Sequence, residues 1–502
     1  MPRVINISAH DPKAVTPWDR EQVYNGLDCI VTREVFDVIY PQLDEHTGPI
    51  YDLSRSLQAP ALAMRLRGVL IDVPRRAEVI DELYAQADEL EQALERIVFD
   101  GIGMLSFNWR SNPDLKSLFY DKLGIPPVLF RGTPTTNEAA LLKMAAIYTP
   151  ARVLVSFILA LRGLHKKISV LRTAIDADNR IRTSYNVAGT STGRFSSSMS
   201  EFGTGGNLQN IEESLRSMFI ADEGMKFAKF DAKSGESYCV GAIEWNIFRD
   251  PTYLDACESG DVHTAAARVC WPGLPWTGSI GPDKDLAEQP FYRHHTYRFM
   301  MKKLGHGSNY GGLPPTLAQQ SHLPIEIVQQ FQHSYFRAFP AHPQWQDWVK
   351  TTLRRLGYLI TLTGRKRWFH GRLTDPDTQR EAIAYDPQGS LADIVNRAML
   401  RIMRLGICPV VMHDHDALTF MYPENREAEI IPILQQHLIE EIPLKGGRTL
   451  RIPYDCQVGW NRGKYDEKHP DKNPDGLRDY FGEDRRTRSR RAKMSLLDRR
   501  FY

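Results

Sequence analysis

Apolar residues recur at three- and four-residue spacings along most of this chain, and short continuous apolar runs interrupt that pattern at a few places. Residues 18–43, WDREQVYNGLDCIVTREVFDVIYPQL, predict one or two amphipathic helices. Residues 51–67 and 74–98 predict a helical hairpin broken by GVLIDVP, its second arm rich in Glu, Leu and Ala. A polar stretch with Pro and Gly covers 108–136, and a second helical run extends from Glu138 to about Ala174. Arg162, Lys166 and Lys167 lie on its later turns, which suggests an elongated helical domain with a basic end. MKFAKFD (225–231) predicts a strand, and SGESYCVGAIEW after it a helix. Further helices are expected at about 290–311, over much of 316–356 and over 379–404. GYLITLTGRKRWF (357–369) predicts a β-hairpin with basic residues at its turn, and CPVVM (408–412) and ALTFMY (417–422) predict two strands joined across HDHD (413–416).

Polar residues with chemistry concentrate in five places on this frame. In RFMMKKLGHGSNYG (298–311), Arg298, Lys302, His306 and Tyr310 follow one another at intervals of four. On a helix that spacing makes one stripe, about 18 Å long at 1.5 Å per residue. Two cations at that spacing suit nucleotide phosphates, and the ring residues suit a sugar and base. The plain alternative is a solvated basic face. RIRTSYNVAGTSTGRFSSSMSEFGTGGNLQNI (180–211) is dense in Ser, Thr, Gly and Asn, with Arg182 and Arg194 embedded, as in loops that track a phosphate backbone. Asp231 ends a strand where a helix begins, a position open to a metal ligand and equally to a helix cap. Four ligand-capable residues, HDHD, at a hairpin tip are hard to explain as packing. His263, in ESGDVHTA, can face a phosphate or close a turn.

Composition narrows the class. The 502 residues are 42% hydrophobic and 25% charged, which fits two or more globular domains. No apolar run approaches the roughly 20 residues of a membrane span, and the N-terminus lacks a signal pattern. Six cysteines without a CxxC pair suggest neither a zinc site nor a disulfide framework, and a cytoplasmic protein is expected. The net charge of +2 is unevenly placed: residues 485–502 carry +7 and the rest −5. Nucleic acid would therefore meet local basic grooves rather than a uniformly basic body.

Two acids on separate β elements, a phosphate-binding helix and a basic Ser/Gly/Asn loop are the parts of a two-metal phosphoryl-transfer site. At this point the chain resembles the family A DNA polymerases, in order over roughly residues 20–465. TSTGRFSSS (190–198) and NLQNI (207–211) resemble the primer-and-template loop, DAKSGE (231–236) motif A, RFMMKKLGHGSNYG motif B, and HDALTF (415–420) motif C. The resemblance implies an α+β right-hand polymerase, with an antiparallel palm sheet, a helical thumb and helical fingers. Expected boundaries are the thumb at 46–175, the palm at 176–255 and 357–465, and the fingers at 256–356. Residues 466–502 are expected as a basic tail without fixed structure.

The same resemblance assigns roles by position. Asp231, Asp416 and the carbonyl of Ala232 would hold two Mg²⁺ ions, with Mn²⁺ able to stand in. Arg298, Lys302 and His263 would contact the incoming dNTP, and Lys302 would also protonate pyrophosphate. Tyr310 and His306 would lie at the insertion position, and Glu236 would block a ribose 2′-hydroxyl. Arg194, Asn207, Gln209, Arg380, Gln388 and His415 would line the primer-template DNA. Departures are His306 for a Phe or Tyr, Ala232, Lys233 and Gly235 in motif A, and Ala384 for an Asn. MHDHDA offers two HD pairs. The family register selects Asp416, with Asp414 as the fallback ligand. YNGLD (24–28) resembles the last exonuclease motif, so residues 1–45 are expected as the end of a 3′–5′ exonuclease domain that is otherwise lost or supplied by a separate subunit. Such a polymerase would suit a bacteriophage. The basic tail would bind DNA or anchor a processivity factor. The rival readings are a single-subunit RNA polymerase relative, an inactive polymerase-like scaffold and a nuclease.

Overall fold

The computed structural model describes residues 17–200 and 203–480. They fall into two compact units: one combines the residues up to 56 with 263–390, the other 57–262 with the chain after 390. The helix Pro376–Leu405 gives its first half to one unit and its second half to the other.

The second unit is built on five antiparallel strands: β1 (Met225–Ala232), β2 (Val410–Asp414), β3 (Ala417–Pro423), β4 (Tyr454–Gly459) and β5 (Arg478–Asp479), in the spatial order β2-β3-β1-β4-β5. β1 is central, so apolar residues cover both of its faces, with Phe227, Ala228 and Phe230 all buried. The register sets Ala417 and Asp455 on either side of Asp231. On one flank the helix Gly235–Phe248 approaches the half-helix after residue 390 so closely that a Cβ on Gly235 would lie 2.5 Å from Leu391. Phe227, Met412 and Met421 join a core with Val69, Ile71, Leu208 and Phe219.

A helical pair, Val73–Arg96 and Thr149–Leu171, extends from this sheet around a second core that includes Leu94, Val98, Phe119, Leu154 and Ile158. Asp72 starts the first arm by accepting a hydrogen bond from the Arg75 N–H (3.0 Å). The predicted run from Glu138 splits into Glu138–Ile147 and Thr149–Leu171 because Pro150 lacks an N–H and is accommodated only near a helix start. Residues 466–480 depart from the expected tail: carbonyls and N–H groups among them pair with the loop after β4, and β5 adds an edge strand. Residues 481–502, the basic stretch, lie outside the described residues.

The first unit packs the helices Pro314–Ser321, Ile325–Ala338 and Ala341–Leu356 around buried Phe331, Tyr335, Phe339 and Trp345. The predicted hairpin forms from Tyr358–Ile360 and Lys366–Trp368. The helix Pro17–Ile39 belongs to this unit, and nearby Asp44 pairs with Lys366 at 2.7 Å. The expected helix at 290–311 is shorter. Pro290–Tyr292 and His295–Thr296 form a small antiparallel pair, and Thr296 caps a helix that begins only at Tyr297. That helix widens to a π turn over Met301–Gly305 before closing at Asn309. Residues four apart across a π turn no longer superpose, so the predicted stripe does not run straight.

Candidate active site

The two motif acids meet at one end of the sheet. Asp231 is the penultimate residue of β1, and Asp416 lies in the two-residue turn between β2 and β3. His415 occupies the left-handed region (φ 60°), which costs a non-glycine residue about 1 kcal/mol and tightens the turn. The Asp416 N–H donates to the Asp414 carbonyl (2.7 Å), and the Ala232 N–H donates to the Asp416 carbonyl (3.0 Å). Ser234, at the start of the helix after β1, is left-handed too (φ 51°). Two strained turns thus bracket the acids, a distribution typical of functional sites.

Electrostatics separates the acids of the HDHD turn. Burial, then the neighbouring charge of Asp231, pushes the Asp416 carboxyl up to about 6. The Asp231 carboxylate accepts from Lys229 Nζ at 3.0 Å. Asp414 instead pairs with the buried guanidinium of Arg462. His413 is not at the tip: it is fully buried in β2, stacked on Phe195 with centroids 4.5 Å apart, and burial pushes its imidazole down to about 4. Its Nε2 lies 3.0 Å from Asn396 Oδ1, and Asn396 donates in turn to the Gly193 carbonyl (3.1 Å). The Ser/Gly loop is thereby fastened behind β2.

The loop residues divide into outward and inward groups. Arg194 is half-buried and ion-paired with Glu236. Burial, and then the charge of Arg194, lowers the imidazole pKa of His415. Asn207 is exposed, though its Oδ1 accepts from Ser197 Oγ (2.7 Å). Gln209, expected to touch DNA, is 7% exposed, and its amide donates to the His413 carbonyl (3.1 Å).

In the other unit, Arg298 lies 3.6 Å from Glu288, Lys302 is exposed, and the rings of His306 and Tyr310 meet edge to face at 5.1 Å. The end of this helix is held firmly. Tyr335 donates to Asn309 Oδ1 (2.7 Å), and Gln346 donates to the carbonyls of Ser308 and Asn309 (2.9 and 3.0 Å). His263 is half-buried at the start of the helix Val262–Cys270. Arg380 pairs with Asp377 one turn earlier, and Gln388 is half-buried further along the same helix.

Three participants escaped the sequence reading. Lys229 could have been found, because it stands two residues before Asp231 on a strand and so shares its face. Arg462 pairs with Asp414 from 48 residues downstream and has no local signal. Asp386, in the other unit, is half-buried, and desolvation pushes its carboxyl up to about 6 while it accepts from the Leu362 N–H (2.7 Å) and Ser390 Oγ (2.9 Å). Among the described residues no group of three or more His, Cys, Asp or Glu could hold a metal alone. A pair of carboxylates at one sheet end nevertheless suits a hard cation that keeps water or phosphate oxygens in its remaining positions. Among the described residues no helix is long and apolar enough to cross a membrane.

A sequence profile described as DNA polymerase family A matches residues 77–466. The chain is 27% identical over 468 residues to the thermostable DNA polymerase I of Thermus filiformis, covering 86% of this chain and 50% of that protein. It is 28% identical over 480 residues to DNA polymerase I of Pseudomonas aeruginosa, covering 89% and 47%. The chain thus spans about half the length of these relatives. Among solved structures, it is similar to the polymerase domain of Pol1 from M. smegmatis, in complex with a DNA primer-template and dNTP. The TM-score is 0.65 at 23% identity, over 81% of this chain and 69% of that one. The α+β fold is therefore that of a polymerase domain.

Proposed function

The chain belongs to DNA polymerase family A, and from that premise we propose that it is a template-directed DNA polymerase, adding dNMP to a primer 3′ end and releasing pyrophosphate. The supporting observation is the convergence of Asp231 and Asp416 at one sheet end, where the charge of one acid raises the pKa of the other. Residues 46–175 would serve as the thumb, 176–255 with 357–465 as the palm, and 256–356 as the fingers.

In this reading, Asp231, Asp416 and the Ala232 carbonyl hold the Mg²⁺ ions. When bound, these supply Lewis-acid activation of the 3′-hydroxyl and charge neutralisation at the leaving group. The protein does the rest. Arg298, Lys302 and His263 orient the triphosphate, and Lys302 delivers a proton to pyrophosphate. His306 and Tyr310 present ring faces and edges to the sugar and base. Glu236, held by Arg194, fills the space a 2′-hydroxyl would need. Arg194, Asn207, Arg380, Gln388 and His415 line the primer-template. Gln209 supports that surface from behind. A separate exonuclease subunit and a processivity factor are the further partners proposed, the first through the segment up to residue 45 and the second through residues 485–502.

Single-nucleotide extension of a primer opposite each of the four template bases tests this reading. Incorporation of only the complementary dNTP, abolished by EDTA, is expected. A preference for rNTPs would favour the RNA polymerase relative, and DNA binding without any incorporation would favour the scaffold.

A further inference from the structure

The motif MHDHDA carries two aspartates two residues apart: Asp416 lies in the turn at the end of the sheet that holds Asp231, while Asp414 is ion-paired with Arg462. Arg462 accounts for the difference. It follows β4, is 3% exposed, and its guanidinium meets the carboxylate of Asp414. Its Nε has no hydrogen-bond partner among the described residues. Its backbone N–H donates to the Phe219 carbonyl (2.9 Å). The neighbouring backbone is equally fixed. The N–H groups of Trp460 and Asn461 both donate to the Asp475 carbonyl (2.9 and 3.1 Å), and the Gly463 carbonyl accepts from Leu477 (2.7 Å). A Cβ on Gly463 would lie 2.8 Å from Ser217 Cβ, so this strap has no room to shift. Asp414 in turn holds Asp416, through the backbone hydrogen bond across the turn.

We infer that Arg462 is a positioning residue that sequesters Asp414 and fixes the His415–Asp416 turn, so that a single acid of the motif faces Asp231; this rests on the polymerase reading above. Without the guanidinium, the half-buried Asp414 carboxylate would lose its ion-pair partner and would be drawn toward cations held by Asp231 and Asp416. A further carboxylate there, added to Asp231, Asp416 and the neighbouring Asp455, would bind metal more tightly but displace Asp416 from its working geometry. The strap at 460–480 acquires a role as the carrier of Arg462.

The test uses the full chain with Arg462→Met, Arg462→Lys, Asp414→Asn and the double variant Asp414→Asn/Arg462→Met. Mn²⁺ binding is followed by electron paramagnetic resonance without DNA, and kcat and KM for dNTP by primer extension. Arg462→Met should bind Mn²⁺ at least about threefold more tightly or take an extra ion. Its kcat should fall about 10- to 100-fold with little change in KM, the usual scale for a group supporting a metal ligand. Arg462→Lys should recover most of kcat, and the double variant should return Mn²⁺ binding to the wild-type value. Asp414→Asn alone leaves a cation beside the site and should weaken Mn²⁺ binding, which keeps the test decisive if Arg462→Met does not fold. Unchanged Mn²⁺ binding in the soluble variants, with only a lower Tm, would overturn the inference. If the Mn²⁺ results are as expected but the wild type extends no primer, the polymerase reading fails and the placement of Asp414 stands.

Discussion

The acid that the site needs should cost the metal-free protein stability, and replacing it with its amide should recover that cost. Asp416 moves from an ordinary 3.8 to about 6, first through burial and then through the charge of Asp231. At 1.36 kcal/mol per pH unit that is roughly 3 kcal/mol against folding when the group is ionised. Water at the turn and relaxation of Lys229 reduce it, so about 1–2 kcal/mol is expected to be measurable. The sign follows from the raised value. The penalty is full above about pH 6 and fades as pH falls towards 3.8, because the folded protein keeps its proton where the unfolded chain has lost it. Asp416→Asn removes the ionisation while preserving shape. In thermal melts with EDTA at pH 8 the variant should unfold roughly 2–4 °C above wild type. The gap should shrink to about half at pH 5 and nearly vanish near pH 4. Activity should be lost throughout. A variant no more stable than wild type at pH 8, or a gap that does not depend on pH, would refute this electrostatic account of the pair.

Other predictions address single residues. Gln209→Ala should lower stability by about 1–3 kcal/mol, read by denaturant unfolding, because the buried His413 carbonyl loses its donor; weaker DNA binding at unchanged stability would restore a direct DNA contact. Lys302→Ala should reduce kcat/KM for dNTP by about 100- to 1,000-fold in steady-state extension, as expected for loss of a cation at a developing charge. Glu236→Ala should relax the preference for dNTP over rNTP by about tenfold or more, measured by competing the two on one template.

Much of the site was legible because each motif is local. Asp231 declares itself by ending an apolar strand, and the HDHD turn by lying between two more. Tertiary structure decides what local pattern leaves open. Asp414 differs from Asp416 in being paired with Arg462, which no spacing rule connects to either. Gln209 sits within a polar, loop-like stretch, yet burial turns its amide inward to β2. The regular interval of Arg298, Lys302, His306 and Tyr310 suggested an even stripe, but the π turn at Met301–Gly305 interrupts it, and no propensity scale registers such a turn. Residues 466–480 are polar and rich in Pro and Lys, as in a free tail, yet their backbone is paired with the loop after β4 and their last residues with β4 itself.

The central claim is that Asp231 and Asp416, and not Asp414, form the acid pair of a DNA polymerase. Single-turnover extension of one templated dNTP in Mg²⁺, for wild type, Asp231→Ala, Asp416→Ala and Asp414→Ala, tests it most directly. The expected result is a loss of about a thousandfold or more for Asp231→Ala and Asp416→Ala with primer-template affinity little changed, while Asp414→Ala keeps at least about a tenth of the wild-type rate. Extension by Asp416→Ala together with failure of Asp414→Ala would place the motif two residues earlier and contradict the account.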